Sequence, residues 1–566
     1  LLTAGLHSLS GATLYWDATG AAAGVGGSGA WGDGSGNWSI DADGIVTARW
    51  ANTNRDTADF RGHASPYRVK VSDSVSAGAL LFHSGGYTLS GATLVLGRIS
   101  GTGHATLLNY MTGEGDNTIS ANIVVHDAGT IGSTANYIIN NSGTGALTLA
   151  GDLSFDFGGR MPAGNKSLVF QTGTANASIV LNGNIARGAP RDTTARLALV
   201  FGQGGTTRAN AEAANGTFFV NGDNTCGRGA AIHGGVVIVG HNNAFGSATV
   251  SLGNSGSRGD VKLLTDGARS LANAITISGA ASSQVYVGGG TAHESTFRGD
   301  FNLTGFGILG TDGNPGTISN PDPILIAVAG GKVNFDGALS TSVAIPRGVI
   351  KQGAGIVSLN NKSGNNLKGV TMINEGTLLL MNTSGSATGD ASQLSSGKVA
   401  VVVEADARLG GSGSTSGLVG AKASTSVITP GDMTKDGVSA VGTLNLTGGL
   451  VANSGATFAL DVNGAAIDCI HLGSAVLDLD GVVTVHFTRL GAVQTGTAYR
   501  IVTGSGDWSS SSATFVFNSP TGYVLDTTYG DGNGYLFDRT AGSLTVQFAP
   551  LPEPSTYASS ADAGGT

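Results

Sequence analysis

Short runs in which apolar residues alternate with small or polar ones, broken by glycine and asparagine, recur along most of this chain. In Lys351 to Asn382, KQGAGIVSLNNKSGNNLKGVTMINEGTLLLMN, two such runs are Val357-Ser358-Leu359 and Thr377-Leu378-Leu379-Leu380. Punctuation at Ser363 to Asn366 and at Glu375-Gly376 separates them. Alternation with period two places successive side chains on opposite faces of a strand, and Gly/Asn clusters supply the turns. The same order is written at Asn215 to Asn243, NGTFFVNGDNTCGRGAAIHGGVVIVGHNN. There Phe218 to Val220 stand for Val357 to Leu359, Asn221 to Asn224 for Ser363 to Asn366, and Gly234 to Val237 for Glu375 to Leu378. A repeated strand, turn and strand is the sequence signature of a β-solenoid.

The cadence extends well beyond these two copies. Val75 to Gly97 alternates cleanly, and so do Ser142 to Phe155, Ser178 to Ile185, Ala248 to Asn254 and Lys332 to Leu339. Comparable strands often recur near twenty residues, so a rung of about that length with two or three strands is expected. Val, Ile, Leu and Phe should fill the interior, Gly should turn the corners, and corner Asn residues should stack into ladders. Thr265 to Asp322 reads as less regular. Asn314-Pro315-Gly316 and Asn320-Pro321-Asp322-Pro323 mark an exposed loop there, an insertion on one face or, alternatively, a domain boundary.

Composition narrows the class. Of 566 residues 94 are glycine and only 12% are charged, yet 40% are hydrophobic, too many for a disordered low-complexity chain. The glycines follow no collagen triplet and no helical heptads appear. A formal net charge of −9, with no Lys/Arg cluster, argues against a nucleic-acid partner. Cys226 and Cys469 lie far apart and read as two free thiols, with one long-range disulfide as the alternative.

The pattern K-x-G-x-G-x-x-x-L from Lys351 to Leu359, an Asn-rich turn and then GTLLL resembles the autotransporter-associated β-strand repeat of very large secreted bacterial surface proteins. Ala407 to Val419, Ile428 to Asp432 and Val441 to Gly464 resemble the run that closes the repeat region in that family. The opening Y-W-D…W…N-W-S also resembles the start of its members. Near the other end, Pro552-Glu553-Pro554-Ser555-Thr556 resembles the PEP-CTERM sorting motif. That resemblance implies an exosortase-type processing enzyme as partner, in a Gram-negative bacterium with exopolysaccharide. Ser559 to Thr566 is polar and lacks the apolar span and arginine cluster that normally follow the motif.

LLTAGLHSLSGA at the start reads as the end of a signal peptide, with cleavage between Ala12 and Thr13. Four of the five tryptophans, Trp16, Trp31, Trp38 and Trp50, fall in the first fifty residues. They suit a cap over the first rung, with a sugar-stacking platform as the alternative. Asp152, Asp156 and Asp223 sit in or beside turns, and Asp478 and Asp480 flank Leu479 on one strand, read as solvated face residues. Asp531-Gly532-Asn533-Gly534-Tyr535 is read as a hairpin turn, because it lacks the ligands of a calcium loop. No catalytic residue, metal ligand or cofactor is expected, and no enzymatic activity.

The expected fold is all-β, a right-handed parallel β-helix (β-solenoid) from about Phe60 to Pro550. Residues 1–12 would be the signal remnant, 13–59 a Trp-rich cap, 60–406 β-helix repeats, 407–550 a C-terminal capping module and 551–566 the sorting motif and tail. At about 4.8 Å per rung this would be a rod on the order of 110 Å long. The expected role is a secreted structural or adhesive protein of a cell-surface layer, fibre or biofilm matrix. Head-to-tail homopolymers through solenoid ends and exopolysaccharide are the expected partners. The alternative is a β-helix that binds or degrades polysaccharide.

Overall fold

The computed structural model describes residues 11–552 except 21–23, 63–65, 98–104, 110–114, 127–134, 157–165, 186–196, 203–207, 254–258, 279–283, 305–321, 342–346, 390–397 and 422. The chain divides into two compact units, Leu1–Met372 with Thr388–Lys398, and Ile373–Ala387 with Val399–Thr566.

The first unit is a parallel β-helix whose coils each carry up to three strands. Thr57–Phe60, Tyr67–Val71 and Val75–Ala77 form one coil, and Ala79–Phe82, Tyr87–Gly91 and Leu94–Gly97 the next. Each strand pairs in parallel with its counterpart one coil on, as Thr57 does with Ala79, Tyr67 with Tyr87 and Val75 with Leu94. The first sheet runs in this way from Thr13–Trp16 to Leu339–Thr341, and the second from Gly29–Trp31 to Val349–Gln352. The third side holds two shorter ladders, Val75–Ala77 to Leu153–Asp156 and Ser270–Leu271 to Ile356–Leu359. Among the described residues one helix interrupts the strands, Arg208–Ala214.

Alternation decides which side chains go inside. In Thr217–Val220 Phe218 and Val220 are buried while Thr217 and Phe219 are half-exposed. Register keeps like with like, so interior aromatics stack from coil to coil. Phe60 lies on Phe82 at 5.0 Å, Phe170 on Phe201 at 5.2 Å and Phe297 on Phe335 at 5.3 Å. Each such pair adds about 1 kcal/mol beyond burial.

The Asn215–Asn243 repeat is one full coil, since Thr217 pairs with Val236 nineteen residues on. That length is at the short end. Leu94 meets Ile123 twenty-nine residues on, and Ser178 meets Thr217 thirty-nine residues on, because the connections between strands vary while the strands do not. The expected rung of about twenty residues therefore fits only some coils. Thr265 to Leu303, expected to be less regular, holds five short strands in parallel register, among them Ile275–Ile277 and Val285–Gly289. Asn314-Pro315-Gly316 and Asn320-Pro321 lie outside the described residues, and Pro323, expected in the same exposed loop, is buried just ahead of the next strand.

Parallel pairing also begins earlier than Phe60. Thr13–Trp16 pairs with Thr57–Phe60, and Gly29–Trp31 with Tyr67–Val71. The strand edges at this end have partners. Trp38–Ser39 and Thr47–Ala48 fold antiparallel beside Thr13–Trp16. Asn37 donates from Nδ2 to the carbonyl of Ala30, and the Asn52 side chain both accepts from Ser76 N–H and donates to Ser74. Beneath them the four tryptophans are at most 1% exposed and pack on one another, with Trp31 and Trp50 at 4.9 Å and Trp38 and Trp50 at 4.7 Å. Rings whose faces are filled by other rings cannot stack on a sugar, so the platform alternative is set aside.

The second unit carries the same parallel pairing. One ladder passes through Thr377–Leu380, Arg408–Gly411, Val427–Pro430, Thr457–Gly464, Val482–Val493 and Thr514–Asn518. A second joins Val401–Val403, Val419–Ala421, Leu450–Ala452 and Leu477–Leu479. A third joins Ser414–Thr415, Thr443–Leu446, Cys469–His471 and Tyr499–Thr503. The pairing then turns antiparallel, as Ser543–Val546 lies between Tyr499–Thr503 and Tyr535–Asp538. Ser511 closes the edge of Leu477–Leu479, accepting from Leu479 N–H and donating to the Leu477 carbonyl. Trp508, buried, stacks on Phe537 at 6.2 Å.

Candidate functional surfaces and buried acids

At one corner of the first unit the turn residues form a continuous polar ladder. Asn122 Oδ1 accepts the backbone N–H of Asp152 at 2.9 Å, Asp152 Oδ1 that of Asn184 at 2.8 Å, and Asn184 Oδ1 that of Asp223 at 2.8 Å. Asp223 then accepts from Asn243 Nδ2 at 2.9 Å. The residue before each of three of these is glycine because the coils nearly touch there. A Cβ at Gly151, Gly183 or Gly222 would stand 2.0–2.3 Å from a carbonyl of the previous coil. The expected corner stacking is thus a hydrogen-bonded ladder that mixes Asn with Asp, and it accounts for Asp152 and Asp223.

The K-x-G-x-G motif has a similar local cause. Lys351 is fully buried and donates from Nζ to the carbonyls of Gln352 and Gly353. Gly353 takes a left-handed φ of 79°, and a Cβ at Gly355 would strike the carbonyl of Val328.

Titratable groups come together within each unit. In the first unit, buried Asp59 accepts from Arg61 Nε and Nη2, both at 3.0 Å, and lies 3.3 Å from His83 Nε2. The Arg61 guanidinium, held above its ordinary pKa by Asp59, sits 4.8 Å from the centre of the Tyr15 ring. In the second unit, Asp468 is fully buried just after the tight turn that pairs Val462 with Ile467. Its Oδ1 accepts from Gly442 N–H at 2.7 Å and its Oδ2 from Asp461 N–H at 2.8 Å. Burial pushes the Asp468 carboxyl up to about 7 against those two donors, and Asp461 nearby adds to the rise. Burial also raises Asp461, partly offset by a hydrogen bond from Ser439. Ser439 belongs to a loop that crosses back on itself, bridging Met433 and exposing Val438 at its tip.

The remaining candidates are separate. Asp156 lies 3.0 Å from His126 Nδ1. Asp478 is half-exposed within its strand, and exposed Asp480 accepts from Ser512 Oγ at 2.9 Å. Asp531 to Gly534 do form a turn, but the strands on either side, Tyr523–Leu525 and Tyr535–Asp538, pair with different partners, so it is not a hairpin. Cys226 and Cys469 are both free, and burial pushes the Cys226 thiol up to about 12. Ala12 donates its N–H to Asp56 Oδ1, and Thr13 opens the first strand. Pro552 is exposed, while Glu553, Pro554, Ser555 and Thr556 lie outside the described residues. Among the described residues no three His, Cys, Asp or Glu side chains gather as a metal site would require. Sequence reasoning missed the Asp59 and Asp468 clusters. An aspartate flanked by apolar residues, as in Ala58-Asp59-Phe60 and Ile467-Asp468-Cys469, was the available signal.

No protein-family model matches the chain. A stretch is similar to the adhesin BmaC autotransporter of Brucella suis biovar 1 (strain 1330), 34% identical over 168 residues. The match covers 25% of this chain and 5% of that much longer protein.

Proposed function

We propose that this chain is a surface-exposed or secreted adhesive β-helix protein that works through its repetitive lateral faces and carries no catalytic site. The observation that supports it most is the long parallel ladder of short strands with polar corners, taken together with local similarity to an autotransporter adhesin. A stack of coils spaces similar polar corner groups at about 4.8 Å along one face, which suits multivalent contact better than a single pocket. In this reading the chain belongs to a surface layer, fibre or matrix, exopolysaccharide is a partner, and the Pro552 to Thr556 motif is read by a sorting enzyme. Head-to-tail assembly through coil ends belongs to the same reading.

The test is direct. Beads coated with the purified chain should bind cells or isolated exopolysaccharide in a manner that saturates and is competed by soluble chain. Absence of binding across a panel of surfaces would remove the adhesive role. Release of reducing or unsaturated sugar ends from such polymers would replace it with a carbohydrate-active one.

A further inference from the structure

Between Val427–Pro430 and Thr443–Leu446 the chain makes a short hairpin, in which Met433 and Ser439 form an antiparallel bridge and Thr434 donates its N–H to the Val438 carbonyl. Thr434, Asp436 and Val438 are exposed, so apolar burial does little to hold the hairpin down. Its outgoing foot is fixed by backbone alone. Gly431 exchanges two hydrogen bonds of 3.0 Å with Gly411 of the preceding coil. Its left-handed φ of 89° suits glycine, and a Cβ there would stand 2.0 Å from the Ala440 carbonyl oxygen.

The returning arm, residues 439–442, is held differently. Ser439 hydrogen-bonds to the Asp461 side chain, and Gly442 donates its N–H to Asp468 Oδ1 at 2.7 Å. The Gly442 carbonyl accepts from the N–H of Cys469, the residue after Asp468. The arm is thus seated on two aspartates, one fully buried and the other 7% exposed.

The charged and titratable groups around this seat have other engagements. At the hairpin tip Lys435 pairs with Asp436 at 2.5 Å, and Asp432 accepts the N–H of Met433. On the next coil Arg489 donates to the Thr521 carbonyl and lies 5.8 Å from the centre of the Tyr523 ring, while exposed His486 stands opposite Ala459. His471 Nδ1 lies 2.9 Å from Thr503 Oγ1, and burial pushes the Cys469 thiol up. Among the described residues, the charge that acts on Asp468 is that of Asp461, of like sign. Two carboxylates in one dry seat repel, and a proton on Asp468 removes the repulsion. Lifting the arm brings water to both.

We infer that residues 439–442 form a pH-gated latch, closed over Asp461 and Asp468 in acid and released toward neutral pH, when water takes over the two carboxylates. The closed form binds a proton that the open form gives up, so rising pH favours opening. Burial holds Asp468 up to about 7, and the shift toward the open form therefore builds from about pH 4 to about 7 and then levels. This local opening lies within the second unit and is independent of the adhesive reading.

Hydrogen–deuterium exchange of the full chain, followed by mass spectrometry and corrected for the intrinsic pH dependence of amide exchange, tests the latch at pH 5 and pH 7.5. Protection over residues 432–442 should fall at least about tenfold between the two, while residues 477–487 of the next coil change far less. Asp468→Asn has no proton to lose there and should abolish most of the fall. Ser439→Ala cuts the tie to Asp461 and should lower protection of the arm severalfold already at pH 5, a readout that stands even if Asp468→Asn does not fold. Constant protection in the native chain would overturn the proposal, as would a fall shared equally by residues 477–487. So would an undiminished fall in folded Asp468→Asn, or no change at pH 5 in Ser439→Ala.

Discussion

Single residues at the corners show how little room the coils leave. Gly183 stands with its missing Cβ 2.0 Å from the carbonyl of Gly151, whereas exposed Gly36 has nothing within 4 Å of where a Cβ would lie. Gly183→Ala should therefore cost at least about 3 kcal/mol and Gly36→Ala less than about 0.5 kcal/mol, read as shifts in a urea unfolding curve. Asp468 gives the second residue-scale prediction. Its folded carboxyl titrates near 7 and its unfolded one near 3.8, so between those values the folded chain keeps a proton that the unfolded chain releases. The contribution is fully present below about pH 4, falls as pH rises and is gone above about 7, on the order of 4 kcal/mol in all. Asp322, pushed by burial to about 6 with Arg347 opposing, acts in the same direction in the first unit. Unfolding midpoints measured from pH 4.5 to 8 should fall for the native chain and fall less for Asp468→Asn. Equal slopes would mean that Asp468 is charged in the fold. The corner glycines were expected, but the Asp468 site was not legible, because Asp461 and Asp468 meet only through a turn and a returning loop.

Strands were the most legible level. Alternation at Ser178–Leu181 and Thr217–Val220 translated directly into inward and outward faces, Lys332–Phe335 is buried on both, and the Asn215–Asn243 copy proved to be one coil. Coil length was less legible, since it is set by connections that carry no periodic signal. Thr265 to Leu303 misled because strands of three residues, such as Ile275–Ile277, are too short to show alternation on their own. The corner ladder was expected as stacked asparagines. It holds aspartates equally well because what each position supplies is an oxygen acceptor for the next coil's N–H. Asp152→Asn should accordingly cost little, while Asp152→Ala orphans the Asn184 N–H and should cost about 1 kcal/mol, measurable by the same urea titration.

For the molecule as a whole, parallel coils make stability close to a sum of neighbour terms. Excising residues 217–235 would bring Val236 opposite Ser178 and Val250 opposite Leu199, so both sheets can close without a change of face. Such a deletion should fold with an unaltered β-type dichroism spectrum and a Tm lowered by only a few degrees. Removing 217–226 alone, which breaks the register, should leave the product aggregated or protease-sensitive. The corner ladder adds a direction to this stacking. From Asn122 to Asp223 it is always the earlier residue that lends the oxygen and the later one that brings the hydrogen, so a growing end already displays the hook on which the next turn hangs. A polypeptide threaded out amino end first would bring a hydrogen to each waiting oxygen, and one threaded out carboxyl end first an oxygen to each waiting hydrogen, so winding can be seeded from whichever end arrives.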